Sequence, residues 1–167
     1  MISQYIEVLI LASIQGFSEF IPVSSSAHLI IVSKIYNFNV GSLQLDISFH
    51  LGSLFAIIFY FRNDLLNITK NKKLFSLILL GSLPLIVIGY IFFTIGLIDY
   101  FRNLKIIAWT TLIFGLLLFI ADRSKIKQKL DTRLSYKSIL IVGLFQVFAI
   151  IPGVSRSGIV ITASRFL

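Results

Sequence analysis

Cysteine is absent from the sequence, which removes disulfides, thiolate metal sites and cysteine nucleophiles at once. Charge is scarce as well. Asp, Glu, Lys and Arg make up 13% of the residues, against 57% hydrophobic residues and a mean hydropathy of +0.95. An ordinary soluble domain carries about 25% charged residues, so this composition belongs to an all-α, polytopic membrane protein. What charge there is leans one way, with 15 Lys and Arg against 7 Asp and Glu. The excess does not point to nucleic acid, because the basic residues sit in loops between hydrophobic runs, where they orient membrane proteins. The N-terminus has neither a basic leader nor a small-residue cleavage site, and Glu7 interrupts its apolar run. No cleaved signal peptide is therefore expected.

The longest uncharged run covers residues 74–98, with 104–121 next and 45–61 spanning if 41–44 begin its helix; each is long enough to cross a bilayer. The remaining apolar stretches are interrupted. Residues 3–21 and 24–38 are separated by Pro22, and residues 138–151 and 155–167 by Pro152. Broken hydrophobic segments at corresponding places in two halves predict re-entrant helical hairpins, whose irregular backbone must be covered by protein or line a wet cavity.

The loop 62–73 holds Arg62, Lys70, Lys72 and Lys73, and the loop 122–137 holds Arg123, Lys125, Lys127, Lys129, Arg133 and Lys137. Two spans separate these loops, so they share a side, which the charge rule makes cytoplasmic. The first hairpin then enters from outside and the second from the cytoplasm, as an inverted repeat in one membrane domain over 1–167. The first repeat covers about 1–121, the basic loop 122–137, and an incomplete second repeat 138–167. The letters carry the repeat too: Ile14-Gln15-Gly16-Phe17 is similar to Phe145-Gln146-Val147-Phe148, and the two prolines align if one-residue shifts are allowed.

The polar residues cluster at the two breaks. Gln15 and Glu19 are four apart and share a helix face; that helix ends at Pro22. The next begins within Ser24-Ser25-Ser26, residues suited to capping, with His28 close behind. A helix N-terminus with free N–H groups is a seat for phosphate. In the second cassette Gly153 permits a tight turn, Ser155 and Ser157 cap or donate, Arg156 supplies a forked cation matched to phosphate, and Thr162 follows at the spacing of the next helical turns. This inventory suits phosphoryl transfer, in which positioning and charge neutralisation do most of the work, with a divalent cation bridging Glu19 and the substrate. Each group also has an ordinary reading: the serines as caps, His28 as a bonded helix residue, Arg156 as a snorkelling side chain. Glu7 and Asp46 read as interfacial acids near helix starts. His50 reads as structural, or as support for residues that touch the substrate.

Gln15-x-x-x-Glu19, running into Pro22-Val23-Ser24-Ser25-Ser26-Ala27-His28, and Pro152-Gly153-Val154-Ser155-Arg156-Ser157-Gly158 with Thr162 resemble the two motifs of the bacterial undecaprenyl-diphosphate phosphatases of the bacitracin-resistance type. The stretch His50-Leu51-Gly52-Ser53-Leu54 lies between them in the matching order, and the resemblance covers essentially the whole chain. It implies a multi-pass enzyme of the bacterial inner membrane that converts undecaprenyl diphosphate to undecaprenyl phosphate, recycling the lipid carrier of peptidoglycan synthesis. It also implies a divalent cation, Mg²⁺ or Ca²⁺, and a site reached mainly from the extracytoplasmic side. By the same resemblance Glu19 binds metal or acts as base, with Gln15 a weaker ligand where many members have Glu. Ser25 attacks or holds phosphate, His28 assists, and the choice of nucleophile between them stays open. Arg156 grips phosphate, supported by Gln15, Ser24, Ser26, Gly153, Ser155, Ser157 and Thr162. Family members continue with further spans, so the chain is expected to be a fragment, or else to cover its second hairpin by homo-oligomerisation. A transporter of polyprenyl phosphate or another anion is the alternative, since inverted repeats with midplane half-helices are also transporter architecture.

Overall fold

The computed structural model describes residues 2–40, 42–124 and 135–167. Of the basic loop residues, Lys125, Lys127, Lys129 and Arg133 lie outside this range. The described residues form nine α-helices: α1 Ile2–Ser18, α2 Ser25–Ile35, α3 Leu43–Tyr60, α4 Arg62–Lys70, α5 Lys72–Thr94, α6 Leu97–Phe101, α7 Leu104–Arg123, α8 Tyr136–Gln146 and α9 Arg156–Phe166, with a 3₁₀ turn Val147–Ile150 extending α8. Helices α3, α5 and α7 are long and apolar enough to cross a membrane.

Local chemistry sets most boundaries. Pro22 has no N–H to offer the Ser18 carbonyl, and it disfavours helical backbone in the residue before it. α1 accordingly stops at Ser18, a turn earlier than the apolar run. Ser24, Ser42 and Ser135 accept bonds from Ala27, Leu45 and Ser138 and start α2, α3 and α8. The run 74–98 is shorter as a helix than as a string of letters: Gly96 takes a left-handed φ of 71°, which closes α5 at Thr94 and turns the chain into the short α6. The sequence reading also expected a loop over 62–73. Most of it is the helix α4, with Asp64 in its first turn and Lys70 in its last, both favourable to the helix dipole.

Side-chain bonds fix which helix ends lie together. At one end, Glu7 near the start of α1 accepts from the Asn39 N–H just after α2 at 3.0 Å, and Asp46 at the start of α3 pairs with Arg102 just before α7 at 2.7 Å. At the other end, the Tyr136 hydroxyl at the start of α8 lies 3.2 Å from Ser76 at the start of α5. Arg165 near the end of α9 pairs with Asp122 near the end of α7 at 3.2 Å and also donates to its carbonyl. The hairpin α1–α2 thus enters and leaves by the first end, and α8–α9 by the opposite end. Their tips meet inside the bundle, an inverted arrangement. Both tips are capped alike: Ser24 and Ser155 accept from the N–H three residues on, and their hydroxyls pair with Ser26 and Ser157 at 3.2 and 3.1 Å. Matching these caps aligns the halves without a gap. Gln15 then falls on Gln146, Val23 on Val154, Ser25 on Arg156 and Lys34 on Arg165. Pro22 falls on Gly153 and not on Pro152, so the one-residue shifts of the sequence alignment are unnecessary.

Packing is densest around the hairpins. Ala27, Ile30 and Ile107 form a buried cluster between α2 and α7. The Gly143 Cα position on α8 lies so close to α5 that an added Cβ would stand 2.5 Å from the Gly81 carbonyl oxygen. The outer faces are apolar, as the α5 stripe Leu79, Leu83, Ile86 and Tyr90 shows. Large apolar patches of this kind are the normal outward face of a protein whose solvent is lipid.

Candidate active site

Where the tips meet, a polar cleft is lined by Glu19, Ser24, Ser25, Ser26 and His50 from the first half and by Ser155, Arg156 and Ser157 from the second. Two apolar cavities adjoin it. One, of about 400 Å³, lies between α2 and α7 and includes His28, Ile31, Phe114 and Leu118. The other, of about 330 Å³, runs along α3 past Ile47, Leu51, Leu54 and Ile57 and opens onto Glu19 and Arg156.

The first tip builds a chain of hydrogen bonds. Glu19 stands just beyond the end of α1, its N–H still bonded to the Gln15 carbonyl at 3.0 Å, so the four-residue spacing keeps its meaning although the helix has ended. Gln15 is 1% exposed and donates from Nε2 to Glu19 Oε2 at 2.9 Å. The same nitrogen lies 2.6 Å from His50 Nδ1. The Ser25 hydroxyl donates to the same Glu19 oxygen at 2.5 Å, the short distance of a hydroxyl on a carboxylate. Among the described residues Glu19 Oε1 has no partner.

The second tip is held from outside the hairpin. Thr110 Oγ1 on α7 lies 2.7 Å from the Pro152 carbonyl, and Thr111 Oγ1 lies 3.4 Å from that of Gly153. Gly153 has φ of 100° and sits so close to α7 that a Cβ would fall 2.1 Å from Thr110 Oγ1. The two tips are joined directly, the Gly153 N–H donating to Ser24 Oγ at 3.0 Å. Arg156 makes no ion pair or hydrogen bond among the described residues, and no oxygen of Glu19 lies within 4.0 Å of its guanidinium. The space between these two groups is the cleft. α2 and α9 both begin there, and their first N–H groups have no partner inside the helix.

Not every candidate residue reaches this cleft. Glu19, Ser24, Ser25, Ser26, Ser155, Arg156 and Ser157 line it. Gln15 lies behind Glu19 and turns its amide nitrogen, not its oxygen, toward the carboxylate, which is the posture of a donor and not of a metal ligand. His28 lines the apolar cavity beside α7, with Nδ1 2.7 Å from the Ser24 carbonyl. Thr162 is buried, and its hydroxyl donates to the Gly158 carbonyl at 2.8 Å. Gly153 shapes the tip and lines the apolar cavity. Two residues that hold the site, Thr110 and Thr111, carry no signal in the sequence beyond a polar pair inside an apolar helix. His50, which the sequence offers as structural or as support, lines the cleft itself; an ionisable group at membrane depth is the kind of signal that marks a site by default.

Asp46 pairs with Arg102 and Glu7 is bonded to Ser3 and Asn39, so both acids are structural and neither belongs to the cleft. Among the described residues no three His, Asp or Glu side chains converge. A cation held here would have one protein carboxylate, Glu19 through its free Oε1, with the remaining ligands from substrate and water. A magnesium ion bound together with a phosphorylated substrate commonly has such a shell, so Glu19 fits the role and Gln15 does not.

Two capped hairpin tips that enter from opposite ends present a carboxylate, hydroxyls and an arginine with no partner among the described residues to one polar cleft between apolar helices of a membrane protein. The chain belongs to the bacitracin resistance protein BacA family, whose model matches residues 8–167. It is 55% identical to the undecaprenyl-diphosphatase of Pelagibacter ubique strain HTCC1062 over 166 residues, 99% of this chain and 65% of that protein. It is 42% identical to undecaprenyl-diphosphatase 1 of Pseudoalteromonas translucida strain TAC 125, covering 97% of this chain and 65% of the relative. With the undecaprenyl-diphosphatase of Aliivibrio salmonicida strain LFI1238 the identity is 38%, covering 98% and 66%. The chain spans about 65% of the length of these relatives.

Proposed function

We propose that the protein to which this chain belongs hydrolyses undecaprenyl diphosphate to undecaprenyl phosphate in the bacterial inner membrane, returning the carrier lipid to peptidoglycan synthesis and conferring bacitracin resistance. The observation that carries the reading is the Ser25 hydroxyl held on Glu19 at 2.5 Å opposite Arg156, which has no partner among the described residues. A nucleophile hydrogen-bonded to its base, facing a cation across a small cleft, is what a displacement at phosphorus needs. A transporter of the same lipid has no use for that pair. The names of the relatives agree with this reading.

In the proposed reaction Ser25 Oγ attacks the terminal phosphorus, its proton passes to Glu19, and the bond to the bridging oxygen breaks. Undecaprenyl phosphate leaves, taking up the proton, and Ser25 carries the phosphoryl group. A water molecule then attacks that phosphorus, Glu19 accepts its proton, and inorganic phosphate departs as the Ser25 hydroxyl is restored. Arg156 and the first N–H groups of α2 and α9 hold the phosphate oxygens throughout. A divalent cation on Glu19 would neutralise part of the diphosphate charge. The geometry favours Ser25 over His28 as nucleophile, because His28 faces the apolar cavity. The lipid tail has apolar surface beside the cleft in either adjoining cavity.

We place the end of the bundle near Arg62, Lys72, Lys73 and Arg123 in the cytoplasm, by the excess of basic residues, with α3, α5 and α7 each crossing the membrane. Thr110 stands six residues into α7, about 10 Å from the opposite end and about 20 Å from the basic end at 1.5 Å per residue. That asymmetry supports access from the extracytoplasmic side.

The test is phosphate release from undecaprenyl diphosphate in detergent with Mg²⁺ or Ca²⁺ present. Ser25→Ala and Glu19→Gln should each lower the rate by at least about 10²-fold with folding preserved. Near-normal release from either variant removes its assignment. Passage of the lipid across liposomes with its headgroup intact, and without phosphate release, overturns the reading in favour of transport.

A further inference from the structure

The Gln15 side chain carries a second consequence, which rests on the phosphatase reading. Its Nε2 has two protons and two close neighbours, Glu19 Oε2 at 2.9 Å and His50 Nδ1 at 2.6 Å. An amide nitrogen cannot accept a hydrogen bond, so His50 Nδ1 must be the acceptor. Turning the amide over would set its oxygen against the Glu19 carboxylate and leave two buried N–H groups where the oxygen now sits. That oxygen is buried without a partner, and one idle acceptor is the cheaper arrangement. A neutral imidazole that accepts at Nδ1 carries its proton on Nε2.

His50 lines both the polar cleft and the α3 cavity, and Glu19 and Arg156 line each with it. Its Nε2, on the far side of the ring from Gln15, has no partner among the described residues. We propose that His50 is a further substrate-contacting residue: Gln15 fixes its tautomer so that Nε2–H donates to a diphosphate oxygen between Glu19 and Arg156. The carboxylate that holds Ser25 and the histidine that holds the substrate are thereby oriented by one amide. Gln15 is the positioning residue of the pair.

The proposal is tested on the full-length protein in detergent by two independent readouts. Nitrogen-15 NMR of the histidine side chains, at a pH where His50 is neutral, should give the Nε2–H tautomer. Its signal should move on addition of methylenediphosphonate, a diphosphate that cannot be hydrolysed. In turnover assays His50→Gln, whose amide nitrogen can take the place of Nε2, should lose no more than about fivefold in kcat, while His50→Asn, which reaches only the Nδ1 position, should lose about 10²-fold, the scale of one phosphate-oxygen donor. An Nδ1–H tautomer, an unmoved signal, or equal rates for the two variants overturns the role of His50. Wild-type protein that releases no phosphate overturns the phosphatase reading instead, and the NMR readouts still decide whether Nε2–H meets a diphosphate.

Discussion

Ser24 and Gly153, 129 residues apart, are joined by a hydrogen bond of 3.0 Å from the glycine N–H to the serine hydroxyl. Ser24 is also the N-cap of α2, so one side chain starts a helix in the first half and anchors the tip of the second. The cleft exists because these tips touch. Glu19 and Ser25 come from one hairpin and Arg156 from the other, and neither hairpin alone could line the cleft with both a carboxylate and a guanidinium.

Ser24→Ala removes the cap and leaves the buried Gly153 N–H without its acceptor. The lost cap costs about 1 kcal/mol, and the orphaned donor about 1–3 kcal/mol. A destabilisation of about 2–4 kcal/mol should appear in denaturant unfolding, together with a fall in phosphate release as the tips separate. Ser24→Thr, which keeps the hydroxyl, should recover most of both.

Gly153→Ala should be more damaging, for two separate reasons. A φ of 100° is strained for any residue with a side chain, and the added Cβ would meet Thr110 Oγ1 at 2.1 Å and the Ile107 carbonyl oxygen at 2.8 Å. The threonine can rotate away, but the backbone oxygen cannot. Strain of about 1–3 kcal/mol adds to the cost of pushing α7 off the tip, and little folded protein should be recovered. Thr110→Val isolates a third contribution, the side-chain bond from α7 to the tip. It removes the bond to Pro152 without touching the backbone of the tip, and should cost about 1 kcal/mol in the same unfolding measurement.

Which parts were legible in the sequence follows from the range of the forces involved. The spans α3, α5 and α7 show as long apolar runs, because bilayer crossing is a property of contiguous composition. The hairpins show as prolines among serines, because helix stops and caps are local. The meeting of Glu19 with Arg156 was readable through the repeat, since two similar breaks in one membrane domain imply two half-sites, and through the family resemblance. Long-range details were not readable. The bonds of Thr110 and Thr111 to the second tip and the bridge from Gln15 to His50 depend on helix rotations that no local pattern fixes. The end of α5 was misplaced for a similar reason: Gly96 sits inside an unbroken apolar run, and only its left-handed backbone shows that the helix has stopped. His28 and Thr162 sit at motif spacing, yet the rotation of α2 and α9 turns them away from the cleft.

The glycines at the crossing of α5 and α8 carry the last prediction. In an isolated helix, Gly143→Ala would stabilise by about 1 kcal/mol through backbone entropy. Here the new Cβ would stand 2.5 Å from the Gly81 carbonyl oxygen and 3.1 Å from the Gly81 Cα. Both are backbone atoms of a 23-residue helix, so relief requires the helices to separate. Overpacking of this kind costs about 1–3 kcal/mol, and the separation also weakens packing along the rest of α8. The steric cost offsets the propensity gain, and a net loss of up to about 2 kcal/mol is expected. Gly81→Ala meets the Ile139 side chain at 3.1 Å, which can shift, and the Ile139 carbonyl oxygen at 3.8 Å, an ordinary contact, so its loss should be smaller. Unfolding midpoints of the two variants, measured side by side in one detergent, check the order: Gly143→Ala below Gly81→Ala, with Gly81→Ala close to the unaltered protein.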